Sequence, residues 1–264
     1  MISMAFYRVR RFARNVVLTR SFGRVSVRKK YFKRYLRGDF GTDVRTAYGF
    51  LMHLDPTDVS ISAVISATGL WEPRVSALVA KLVKPGSIAV DAGANIGWFS
   101  LLAASKGAGS VRAFEPEPTA ASLLARSART NGFNNIALER IALLDRTGSA
   151  KLYISDTSNK GLHSIERQVG NSSIDVPCTT LDASFDEPID LLKLDTEGSE
   201  MRVVEGGMSL VTQRKVRNII VERNFELWSD RDLEVWQRIK DFYSVKQIEP
   251  DNVYRQNNLH LALK

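Results

Sequence analysis

One cysteine, Cys178, and three histidines in 264 residues leave few ways to build a disulfide or a metal cluster. A lone thiol closes no internal disulfide, and nothing beside it would activate it. Long apolar runs are missing too: none approaches the roughly 20 residues that span a bilayer. Acids are almost missing from one end. Residues 1–40 hold twelve of the 37 Lys and Arg but only one of the 29 Asp and Glu, Asp39, which leaves the other 224 residues with 25 basic and 28 acidic groups. The net charge of +8 is therefore the property of an arm attached to a mildly acidic body.

The arm has a pattern. Ile2, Ala5, Phe6, Val9, Phe12, Ala13, Val16 and Val17 recur at helical spacing, with Arg8, Arg10, Arg11 and Arg14 mostly between them. A basic amphipathic helix of this kind packs on its own body, lies on an anionic membrane surface, serves as a transit peptide, or holds nucleic acid. Lys29, Lys30, Lys33 and Arg34 beside Tyr31, Phe32 and Tyr35 extend the charge. It does not read as a secretory signal, because charge interrupts any apolar core. The expected setting is the cytoplasm, with peripheral membrane contact through residues 1–40 favoured over nucleic acid.

The most informative stretch runs from Ser87 to Glu115. A short apolar run, Ile88-Ala89-Val90, ends in Asp91; Gly93 and Gly97 follow; an apolar helical segment comes next; a second strand pattern ends in Glu115. This is the opening of a βαβ unit with a nucleotide-sized ligand at the strand tips. A dinucleotide fingerprint would place a glycine where Asn95 stands, and a pyrophosphate would meet the Asp91 carboxylate. An acid at the loop mouth suits a ligand with a cationic amino-acid end, such as S-adenosylmethionine (SAM). Glu115 stands where a second-strand acid accepts hydrogen bonds from ribose hydroxyls.

Strand and helix patterns then alternate, the signature of a doubly wound parallel sheet. Strands are expected at 88–91, 111–115, 136–141, 189–195, 217–222, 244–248 and 259–263, the last two pairing antiparallel. Helices are expected at 97–106, 118–131, 200–212 and 231–242. Three segments result: a basic arm (1–40), a helical lead-in (41–85) and an α/β body (86–264). Residues 150–180 break the alternation, with short strands around Leu152–Ile154 and Ile174–Val176 flanking a polar loop that would shape a pocket.

Asp195 and Glu197 carry the second signal, in Lys193-Leu194-Asp195-Thr196-Glu197-Gly198 at a strand end. In a doubly wound sheet this tip lies beside the first strand. Lys193 inside a central strand must find a partner or lose its charge; Glu222, ending the next strand, is the candidate partner, and a desolvated lysine is also a candidate proton acceptor. Glu197 could equally cap the helix that starts near Glu200. His163, in the irregular loop, is the histidine placed to deprotonate a hydroxyl. A divalent metal across Asp195 and Glu197 is a weaker expectation.

Taken in order, V-D-A-G-A-N-I-G-W-F-S-L-L-A-A, A-F-E-P-E-P, N-G-F-N-N-I-A-L, A-L-L-D-R-T-G, V-P-C-T-T-L-D and L-L-K-L-D-T-E-G-S-E resemble the FkbM-type SAM-dependent methyltransferases, over about Leu54 to Lys264. The resemblance implies a seven-stranded Rossmann-like fold with a final antiparallel strand, preceded by helices. It implies a SAM loop of Asp91, Gly93, Asn95 and Gly97, ribose binding by Glu115, and adenine near Ala142. Asp195 and Glu197 match the family's K-x-D-x-E-G motif at the transfer site. Gly161-Leu162-His163-Ser164 is similar to the family's G-G-H-S, with leucine as a departure. The implied activity is O-methylation of a small-molecule or glycan hydroxyl by direct displacement. An RNA methyltransferase, a non-catalytic SAM-binding module and, last, an NAD oxidoreductase are the alternatives.

Overall fold

The structure, a computed structural model, describes residues 42–58, 60–156, 159–224, 228–248 and 256–264. The expected amphipathic arm lies outside them. The chain opens with a hairpin, β1 (Asp43–Arg45) and β2 (Leu51–His53), then two helices, α1 (Ile61–Thr68) and α2 (Pro73–Leu82). The lead-in is therefore not purely helical as expected. Each hairpin strand is only three residues long, too short to show a period of two.

The body continues with β3 (Ile88–Ala92), α3 (Trp98–Ser105), β4 (Ser110–Phe114), α4 (Pro118–Thr130), β5 (Ile136–Glu139) and β6 (Ala142–Leu143). It then runs through β7 (Gly148–Ile154), β8 (Ser172–Thr179), α5 (Leu181–Ser184), β9 (Leu191–Leu194), α6 (Glu200–Glu205) and α7 (Met208–Thr212). It closes with β10 (Asn218–Asn224), α8 (Asp230–Lys240), β11 (Tyr243–Gln247) and β12 (Gln256–Leu263). The seven-stranded sheet has the order β11-β12-β10-β9-β3-β4-β5, parallel except that β12 runs antiparallel to both neighbours. This is the doubly wound, Rossmann-like sheet expected from the pattern.

β3 and β9 are buried almost throughout, as central strands covered on both faces must be. One face packs α2, α3 and α4 through residues such as Val79, Leu101 and Leu124; the other packs α6, α7 and α8 through Met201, Leu210 and Trp236. Each such side chain contributes about 1.5–3 kcal/mol by leaving water. Local signals start the helices: Pro118 opens α4 with Glu117 accepting from the Ala120 N–H, and Ser229 with Asp232 forms a capping box on α8.

The expected helix 200–212 is two helices, broken at Gly206-Gly207. A Cβ on Gly206 would lie 2.0 Å from the Leu144 carbonyl oxygen, so close backbone approach dictates the break. The irregular region 150–180 forms a separate three-stranded sheet, β6-β8-β7, with its own small core around Leu144, Leu152 and Val176.

β3 pairs with β4 on one side and β9 on the other. The chain thus winds outward from β3 in both directions, and the crevice at the carboxyl ends of β3 and β9 is where such sheets bind ligands.

Candidate active site

That crevice is open. Gly93, Asn95, Glu115, Ala142, His163, Asp195 and Glu197 are among its walls. The small sheet supplies the far wall through Leu152 and the loop carrying His163.

The loop after β3 has no amide to spare. The Gly93 and Ala94 N–H groups both donate to the Phe114 carbonyl at 3.0 Å, and Gly97 N–H donates to Ala94 at 2.9 Å. Asn95 N–H donates to Glu115 Oε2 at 2.7 Å, and Ile96 N–H to Asn95 Oδ1 at 2.8 Å. A pyrophosphate needs loop amides aimed at it, so this loop is not built for a dinucleotide. Gly93 is held at φ +75°, and a Cβ there would lie 2.0 Å from the Asp195 carbonyl oxygen. Glycine lets the loop close directly onto the tip of β9.

Glu115 is buried, and each carboxylate oxygen takes one backbone amide: Asn95 on one, Glu117 at 2.8 Å on the other. Each oxygen keeps further acceptor capacity, and the residue lines the cleft. Burial pushes its pKa up to about 7, against the pull of those two amides.

Asp91 lies elsewhere than expected. Its carboxylate is under the loop, 4% exposed, accepting from Ser100 Oγ at 2.6 Å, and it is not among the cleft walls. Burial raises its pKa to about 6. The mouth-of-loop reading is corrected: Asp91 ties β3 to α3. Gly97 is also behind the cleft, packed against Leu124.

The far end of the crevice is built from charge. Lys193 is 1% exposed; its Nζ meets Asp195 Oδ2 at 3.0 Å and stands 5.1 Å from the centre of the Phe99 ring. Burial pulls its pKa down, but Asp195, Glu72 and Glu222 more than offset this, and the ammonium is held charged. Lys193 as proton acceptor is thereby corrected. Asp195, Glu197 and Glu222 each bring a carboxylate oxygen within 4.8 Å of the others. Burial, then the charges of Asp195 and Glu200, raise Glu197 well above the usual glutamate range. Glu222 is raised for the same first reason, with Asp195, Glu197 and Glu72 adding to it.

The N-cap of α6, Ser199, makes no side-chain capping bond. Glu200, the first residue of the helix, instead braces the loop before it: one buried oxygen accepts from Thr196 N–H at 2.9 Å, Gly198 N–H at 3.1 Å and Thr196 Oγ1 at 3.2 Å. Glu197 is left at φ +54°, a left-handed conformation that costs a non-glycine residue about 1–2 kcal/mol. Ser164 Oγ holds its carbonyl at 2.9 Å. Strain of this kind, held by neighbours, is a mark of working residues.

His163 lines the cleft, but its Nδ1 accepts the Ser155 N–H at 3.0 Å. Burial lowers its pKa, so the ring is neutral near pH 7, and a neutral ring with Nδ1 accepting carries its proton on Nε2. It offers a donor, not a base; the general-base expectation is corrected.

The model of the methyltransferase FkbM domain matches residues 91–255, more than half of the chain. The chain belongs to the FkbM methyltransferase family. No curated protein matches it. Among solved structures, an FkbM methyltransferase from Methylobacillus flagellatus KT is 16% identical, covering 88% of this chain and 58% of its own, at TM-score 0.48. An rRNA methylase from Streptococcus thermophilus is 14% identical, covering 72% of this chain and 93% of its own, at TM-score 0.46. Trm5b from Pyrococcus abyssi is 16% identical over 84% of this chain and 56% of its own, at TM-score 0.45. At these scores the neighbours decide nothing about the acceptor.

For this FkbM chain, the crevice brings together Gly93, Asn95, Glu115, Ala142, His163, Asp195 and Glu197, with Lys193 and Glu222 behind the β9 tip. Sequence reasoning missed Glu200 and Glu72. Glu200 carried a readable signal, an acid in a helix's first turn; Glu72 carried none.

Proposed function

We propose that this chain transfers a methyl group from SAM to a hydroxyl oxygen of a neutral acceptor, a sugar or glycan being the class that fits best. The residues present suit SAM. Glu115 has acceptor capacity for a ribose, and the loop amides are engaged internally, so no phosphate is invited. Ala142 and Leu143 give an apolar wall for a base. SAM, when bound, supplies a methyl group already activated on a sulfonium.

The single observation that carries the acceptor class is the acidity of the transfer end. Asp195 and Glu197 wall the cleft with Glu222 at their back, and Lys160 is the one cationic side chain among the described residues of the cleft walls. Carboxylates accept from hydroxyls and repel phosphates. The arrangement divides the work. Lys193 fixes Asp195 as an acceptor that orients the incoming hydroxyl. Glu197, a carboxylate made more basic by its setting, takes the hydroxyl proton. His163 Nε2–H donates to an acceptor oxygen and orients it. No step needs a metal, and the proton has a stated destination.

Transfer from methyl-labelled SAM tests this, with neutral oligosaccharides and structured RNA offered side by side. Label in the glycan supports the reading. Label in RNA overturns it and turns attention to the basic arm. For that arm we propose contact with an anionic membrane, tested by sedimentation with anionic vesicles before and after removal of residues 1–40.

A further inference from the structure

Three walls of the cleft meet at one guanidinium that lies outside it. Arg202 is the third residue of α6 and is not itself among the cleft walls. Its Nη2 and Nε donate to Asp145 Oδ1 at 2.7 and 3.1 Å, and its Nη1 donates to Glu166 Oε1 at 2.6 Å. Asp145 stands just past β6, whose Ala142 and Leu143 wall the cleft; Glu166 lies three residues after His163 in the loop opposite. The Arg202 and Asp145 side chains are 17% and 13% exposed, so this pair sits largely out of water, where a charge-assisted bond is strong.

The loop is tied a second time. Glu166 N–H and Arg167 N–H donate to Ser164 Oγ at 3.2 and 3.3 Å. That oxygen, buried, donates in turn to the Glu197 carbonyl at 2.9 Å. Glu197 leads within three residues into α6. The bonds therefore close a ring: from α6 through Arg202 to Glu166, along the loop to Ser164, across to Glu197, and back along the chain to α6. His163 is the residue before Ser164. Among the described residues Arg202 is the only side chain bonded to the Glu166 carboxylate. Arg231 reaches Asp145 Oδ2 at 3.4 Å and Glu205 at 2.9 Å, both off the loop. From the lead-in the loop receives a long bond, Lys160 N–H to Asp58 Oδ1 at 3.4 Å.

We propose that Arg202 is a positioning residue of the transfer site: by clamping Glu166 to α6 and to the end of β6, it fixes the loop that presents His163 and holds the Glu197 turn at the cleft. Arginine suits the task because its planar fork serves two carboxylates from one position, which a lysine point charge does not do with the same geometry. The consequence for methyl transfer rests on the proposed function; the clamp itself does not.

The test uses the full chain labelled with nitrogen-15, with the His163 ring assigned through His163→Gln. The ring nitrogens report the tautomer at neutral pH, and amide hydrogen exchange reports how often the Ser155 and Ser164 N–H bonds open. Glu166→Ala releases the loop from an exposed position and leaves Arg202 on Asp145; Arg202→Met keeps the apolar stem; the double variant joins them. Wild type should show His163 protonated on Nε2 alone. Each single variant should mix the tautomers and speed both amides roughly tenfold, and the double variant should add nothing, because the two residues act as one bond. An ion pair with a structural role alone would cost stability without moving the His163 signals. Wild-type signals in both single variants, a change in the Arg202 variant alone, or effects that simply add in the double variant overturn the proposal. SAM affinity is read by calorimetry on the same samples and should fall equally in both single variants, since His163 and Ile165 line the cleft. A wild type that binds no SAM defeats the methyl-transfer reading and leaves the clamp result standing.

Discussion

The two ends of one crevice are built on different principles. At the β3 end the backbone does the work: five consecutive N–H groups, Gly93 to Gly97, are all bonded within the protein, and one carboxylate, Glu115, lines the cleft. At the β9 end side-chain charge does the work, with Asp195, Glu197 and Glu222 crowded together and one ammonium among them. A backbone cradle is intolerant of added bulk, whereas a cluster of side-chain charge is broken by removing one charge. Substitutions can therefore break the ends separately, while the raised carboxylates Glu115 and Asp91 give the β3 end a pH dependence of its own.

The largest effect is expected from Gly93→Ala. The new methyl would meet the Asp195 carbonyl at 2.0 Å in a left-handed backbone, so both ends are displaced at once. The account predicts a stability loss of about 3 kcal/mol and no measurable SAM binding, read by denaturant unfolding and calorimetry. Next comes Glu197→Gln, which leaves the cradle alone. Methyl transfer should fall by about 10²–10⁴-fold with SAM affinity unchanged. His163→Ala, which removes a donor and no base, should cost no more than about tenfold and leave the pH profile in place. Equal losses in the two variants would return the proton to His163.

The smallest effect is on the pH dependence of stability. Glu115 has a folded pKa of about 7 against 4.5, and Asp91 about 6 against 3.8. Both are raised carboxylates, so the native state binds more protons than the unfolded state between these values. Unbound protein should therefore lose stability as pH rises from about 4 to 7. Glu115→Gln and Asp91→Asn should each flatten that slope in thermal melts; a rising slope in wild type would contradict the burial that the fold assigns to both.

The β3 end was legible in the residues because its signal is local: an acid, two glycines and a second acid at fixed spacing after strand patterns. The seven strands of the large sheet were legible for the same reason, since each announces itself locally, while their order in the sheet was not. The β9 end was legible only as two acids. That Glu200 turns back onto the Thr196 and Gly198 amides while Ser164 holds the Glu197 carbonyl is a tertiary arrangement that no spacing encodes. The His163 tautomer depends on the Ser155 amide, eight residues away across a loop. Asp91 reads as a ligand contact in sequence, but α3 covers it with Ser100.

The central claim is that the crevice at β3 and β9 is a SAM site and not a dinucleotide site. Titration calorimetry with SAM and, separately, NAD tests it most directly, with Glu115→Ala as control. The account predicts SAM binding, weakened about 10–100-fold by the substitution, and no heat with NAD. NAD binding, or no SAM binding by folded protein, would contradict it.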